Sequence, residues 1–255
     1  MSIAYILLGV FILFAYTAEA VTGFGSIVIA LSLGALLFPI DWLQTILVPL
    51  NIAMTGWMSW RLRRHVDAAL LLRLVMPFML AGTVLGVALQ PLLTGAVLKL
   101  LFAALILWFA LRELVRLARG SSAVVRPAWL NRVLVLSAGV THGLFASGGP
   151  LLVYALAGTP LDKARFRASL ILVWCLLNST LTLLFLWQGK LAANWAVLIW
   201  YLPLIPVGIV LGERLHRRVD EQQFRLWVYR LLVVAALALM LATVLSWRGA
   251  PVPAT

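Results

Sequence analysis

The chain has 255 residues, 64% hydrophobic and 11% charged, with a mean hydropathy of +1.07; soluble domains carry roughly a quarter charged residues, so a soluble fold is excluded. A formal net charge of +12 would suit nucleic acid, but the basic residues sit in short turns between apolar stretches, so topology is the better explanation and no nucleic-acid partner is expected. The single cysteine, Cys175, lies inside an apolar stretch, which excludes an intramolecular disulfide and a thiolate metal cluster and leaves a core residue.

The first apolar run, residues 3–22, contains Ala18-Glu-Ala20, which mimics a secretory cleavage site. No Lys or Arg precedes the run and an equivalent segment recurs mid-chain, so a membrane segment is expected there rather than a signal peptide. The run meets Gly23-Phe-Gly-Ser26, and a short apolar arm follows to Pro39. Next come apolar stretches at 43–60, 70–89 and 97–111, near the roughly 20 residues that span a bilayer as helix. After a polar joint at 112–132 the order repeats. Residues 130–146 lead to Ser147-Gly-Gly-Pro150, a short arm to Pro160, and stretches at 170–188, 195–211 and 226–247. An arm of about ten residues covers only about 15 Å as helix, half a bilayer, so each short arm with its preceding run predicts a broken or re-entrant hairpin.

The repetition is also literal. Pro77-Phe-Met-Leu-Ala-Gly82-Thr-Val-Leu-Gly86 returns as Pro203-Leu-Ile-Pro-Val-Gly208-Ile-Val-Leu-Gly212. The turn after the first copy is uncharged, whereas the turn after the second is rich in arginine. Positive-inside reasoning places the basic clusters at 61–65, 112–132, 163–167 and 214–225 in the cytoplasm. A hairpin plus three spans is an odd number of crossings, so the second copy is expected upside down, with both termini periplasmic. Full crossing by each short arm would give the same sidedness. The expected fold is all-α, a polytopic integral membrane protein of two inverted-topology repeats, each a broken or re-entrant helical hairpin plus three transmembrane helices. The first repeat is residues 1–118, a cytoplasmic linker is 119–128, and the second repeat is 129–255.

Non-helical backbone at membrane depth is tolerated only where protein or a wet cavity receives its polar groups. A helix restarting after a break presents unpaired amides and a positive dipole end, which suits an anion, and Pro150 fits such a first turn. Gly23, Phe24, Gly25 and Ser26, with Ser147, Gly148 and Gly149, are therefore candidate substrate residues, weighed against simple close packing of small residues. The Gly-x3-Gly pairs of the literal repeat read as packing. Glu19 alone of eight acidic residues sits well inside an apolar run. It is a candidate for proton coupling, against an interhelical hydrogen bond or a place near the outer surface. His142 titrates, donates to an anion, or is structural. Asn51 and Asn178 follow each hairpin as substrate donors or helix glue, and Thr22 and Thr141 precede each break.

Val21-Thr-Gly-Phe-Gly-Ser26 and Val140-Thr-His-Gly-Leu-Phe-Ala-Ser-Gly-Gly-Pro150 resemble the sulfite exporter family, the TauE/SafE-like membrane permeases, over nearly the whole chain. The first arm, Ile27-Val-Ile-Ala-Leu-Ser-Leu, departs from the family pattern by lacking the further glycines and proline often found there. The resemblance implies a bacterial inner-membrane transporter, usually outward, of sulfite or small organosulfonates, driven by a proton or ion gradient. The expected function is thus a secondary exporter of such an anion by alternating access, with an anion channel as the alternative and a membrane-embedded enzyme as the third reading. Three scattered histidines and one interior acid offer no paired acids or metal set, and no Gly-x4-Gly-Lys-Ser/Thr motif provides for ATP. No cofactor is expected. The expected partners are a small anion and membrane lipid, with a homodimer one assembly open to the chain.

Overall fold

The computed structural model describes residues 3–22, 25–119, 127–156, 159, 161–192, 194–216 and 220–248. Gly23, Phe24 and most of the expected linker lie outside the described residues. Among the described residues no strand forms, and the helices fall into two series, each a long helix, a short one and three long ones. The first is α1 (Ile3–Thr22), α2 (Ser26–Gly34), α3 (Ile40–Leu62), α4 (Ala68–Leu92) and α5 (Gly95–Arg119). The second is α6 (Ala128–Phe145), α7 (Gly149–Leu156), α8 (Lys163–Trp187), α9 (Trp195–Leu215) and α10 (Glu221–Arg248). Six of these, α1, α4, α5, α8, α9 and α10, are long and apolar enough to cross a bilayer. The protein is an all-α, multi-pass membrane protein.

The stretch at 43–60 forms α3, yet α3 is not among those six. It carries Gln44, Thr45, Asn51 and Thr55, all buried, because it packs inside the bundle against α8 rather than facing lipid along its length. The literal repeat accounts for two irregularities. In α4 a π-turn occupies Leu71–Val75 just before Pro77, whose ring cannot share a regular turn with the carbonyl of Arg73. In α9 the helix is interrupted at Leu202 and Pro203.

Helix partners map onto themselves when the two series are exchanged. α1 packs on α9 and α6 on α4, while α3 packs on α8 and α5 on α10. The repeated glycines make the first two contacts close. A methyl added to Gly82 or Gly86 would meet the backbone carbonyls of Leu136 or Val140 in α6, and one added to Gly208 would stand 2.8 Å from Cβ of Tyr16 in α1. α2 doubles back along α1, so that a Cβ on Gly34 would lie 3.3 Å from Leu8 and 3.0 Å from Leu43. The basic clusters gather at one end of the bundle. Arg61 pairs with Glu213 at 3.0 Å beside Arg167, while Arg112 and Arg116 both pair with Glu113 and Arg225 shares a cavity wall with Tyr229.

Candidate functional site

Each hairpin reverses through a residue in the left-handed region. Gly25, at φ 103°, stands at the start of α2, and Ala146, at φ 52°, ends α6 with its N–H bonded to the His142 carbonyl at 2.6 Å. Glycine serves the first position without strain, whereas alanine at the second is held there by its surroundings. α7 then starts at Gly149-Pro150, where the proline costs no hydrogen bond.

The two reversals meet. Gly25 and Ser26 of one tip and Ser147 and Gly149 of the other line a single cavity, together with Glu19, Asn51, Asn178 and Trp174. Its volume, measured as the space open to the centre of a water molecule, is ≈ 30 Å³, room for about two waters. Asn51 organises the wall. Its amide nitrogen donates to Ser26 Oγ at 2.8 Å and to Glu19 Oε2 at 3.2 Å, and its carbonyl accepts from Asn178 Nδ2 at 2.6 Å. The Glu19 carboxyl also faces the Ser26 backbone amide, so an acidic group of the chain itself stands at the start of α2. Ser147 Oγ and Asn178 Oδ1 are buried and have no hydrogen-bond partner among the described residues. A site with a carboxylate, two amides and two hydroxyls can bind an oxyanion and hold or move a proton at Glu19.

Other candidates lie beside the cavity. His142 is fully buried and stacks on Trp174 with ring centroids 6.0 Å apart. The Leu177 backbone faces its ring, but neither ring nitrogen makes a hydrogen bond of ordinary geometry among the described residues. Gly148 is where the second loop folds onto α6, since a methyl there would meet the Ala138 carbonyl. Thr141 donates to Ala138 O at 2.9 Å. Thr22 donates to Ala18 O at 2.8 Å and lines a separate apolar cavity with Tyr229.

Trp174 is not a polar residue, and only its register against the first half marks it in the sequence. It stands as far into α8 as Asn51 does into α3, while Asn178 sits four residues, about one turn, further on and corresponds to Thr55. A second, larger space of ≈ 480 Å³ opens at the basic end, lined by Ala20, Trp57, Arg61, Arg167 and Glu213.

The family profile described as Sulfite exporter TauE/SafE matches residues 7–239, which takes in both tips and the whole cavity wall. The chain belongs to the sulfite exporter TauE/SafE family. A curated TauE relative from Cupriavidus necator, "Probable sulfite/organosulfonate exporter TauE", is 25% identical over 243 residues, covering 90% of this chain and 91% of that one. No solved structure matches this TauE/SafE chain.

Proposed function

We propose that the protein is a secondary transporter that exports a small sulfur oxyanion or organosulfonate, such as sulfite or sulfoacetate, across the bacterial inner membrane by alternating access. The observation that carries this reading is the meeting of both hairpin tips at one buried cavity holding Glu19, Asn51, Asn178 and two serines. Sulfite and sulfonate groups present several oxygens to several donors, and the start of α2, the start of α7 and the Ser147 hydroxyl converge there. The TauE relative's name carries the same substrate class.

Alternating access is supported by the contrast between ≈ 30 Å³ at the tips and ≈ 480 Å³ at the basic end. A space for about two waters admits no organosulfonate until the walls move. The exchange symmetry of the helix pairing is what two inverted repeats of residues 1–118 and 129–255 would produce. With the basic end cytoplasmic, both termini are periplasmic. Glu19 supplies the coupling. Its carboxylate stands where the substrate anion would bind, so proton uptake there removes a like charge and admits the anion.

Purified protein in liposomes should take up labelled sulfoacetate saturably and faster under an imposed pH gradient, and Glu19→Gln should retain flux but lose its response to the gradient. Absence of flux and of binding for sulfite and every organosulfonate tried would sink the reading. Flux linear in concentration and indifferent to pH would instead identify an anion channel.

A further inference from the structure

Gln44 and Arg167 stand equally far into α3 and α8, and they make the same contact in the two halves. Gln44 Nε2 donates to the carbonyl of Leu144 at 2.8 Å, and Arg167 Nη2 donates to the carbonyl of Ala20 at 3.2 Å. Each caps the last turn of the opposite half's first helix, just before the break. The environments differ. Gln44 is buried and is itself held by Gln90 at 2.7 Å, an arrangement of neutral amides. Arg167 is half-buried, lines the ≈ 480 Å³ vestibule, and its charge acts on Glu19 in the cavity beyond.

We infer that this vestibule is an outer anion site in which Arg167 takes the sulfonate or sulfite oxygens before they reach the cavity between the tips; this rests on the transporter reading. A guanidinium presents a planar fork that fits two oxygens of such a group, and a charged acceptor outcompetes the neutral Ala20 carbonyl to which Arg167 donates in this structure. Binding thereby releases the Ala20 carbonyl near the end of α1. Arg61 stands across the vestibule in a pair with Glu213 whose side chains are 57% and 47% exposed, the kind of pair that contributes little stability and opens readily. The arginine-for-glutamine difference makes the two approaches to the cavity unequal, with anion recruitment built into the basic end alone.

The test places a thiol in the vestibule with Met58→Cys in a Cys175→Ser background, reconstituted in nanodiscs of phosphatidylcholine so that no anionic lipid competes. The anionic reagent MTSES should label it faster than the cationic MTSET, and sulfoacetate should slow the labelling. Arg167→Gln, which can keep the capping bond as Gln44 does, should lower the MTSES-to-MTSET ratio by about tenfold and abolish the sulfoacetate effect. Arg167→Lys should preserve most of the ratio but weaken protection, because an ammonium lacks the fork. An unchanged ratio in Arg167→Gln overturns the inference, as does labelling indifferent to saturating sulfoacetate with Arg167 intact. Labelling needs no transport, so protection without flux would refute the export reading and leave the site standing. Saturable flux without protection would refute the site alone.

Discussion

The side-chain amide of Asn178 donates to the side-chain carbonyl of Asn51 across 2.6 Å, joining α8 of one half to α3 of the other at the wall of the cavity. Through Asn51 the bond continues to Ser26 and Glu19, so the two halves share one polar chain. Asn178→Ala should leave the Asn51 carbonyl buried without a donor, at a cost of about 1–3 kcal/mol. Thermal melts followed by tryptophan fluorescence should show this, and sulfoacetate should no longer raise the midpoint.

The Glu19 carboxyl stands at the start of α2, and its ionised form carries the substrate's own sign. A sulfonate stays ionised from pH 5.5 to 8, so any pH dependence of its binding over that range belongs to the protein. Wild-type affinity should rise as pH falls and Glu19 takes up a proton. Glu19→Gln should bind about tenfold more tightly at pH 8 and show a flat pH profile, measured by calorimetry with methanesulfonate or sulfoacetate.

The left-handed residues at the two tips make opposite predictions. Among the described residues nothing stands within 4 Å of a Cβ added to Gly25, so Gly25→Ala should cost chiefly backbone strain, about 1–2 kcal/mol. Ala146→Gly relieves comparable strain while losing one buried methyl, worth about 0.8 kcal/mol, so its melting midpoint should hold or rise. A fall in both variants would contradict the backbone account.

Packing glycines and free glycines separate cleanly. Gly82→Ala and Gly143→Ala push a methyl into the facing backbone of α6 or α4 and should each cost about 1–3 kcal/mol. Gly95→Ala, with nothing among the described residues within 4 Å of the added carbon, should leave the midpoint unchanged. Differential scanning fluorimetry of the three side by side decides the matter.

Hydropathy and the two copies of Pro-x4-Gly-x3-Gly determined that this chain is a multi-pass helical bundle with a duplicated plan, because a bilayer demands long apolar helices and duplicated irregularities leave duplicated motifs. The first helix reads as 3–22 in the sequence and spans Ile3–Thr22 in the structure, since the Gly-Phe-Gly that follows is a local backbone signal. Glu19, Ser26, Asn51 and Ser147 were also visible, as polar residues with few apolar reasons to be there. Tertiary structure alone decided which of them meet. Asn51 and Asn178 converge from positions one turn apart, a tryptophan fills the place equivalent to Asn51, and an arginine stands where the other half has glutamine. Such choices depend on how helices distant in sequence turn their faces toward one another. Helical periodicity fixes which side chains share a face, but only packing against the opposite half decides which face lines the cavity.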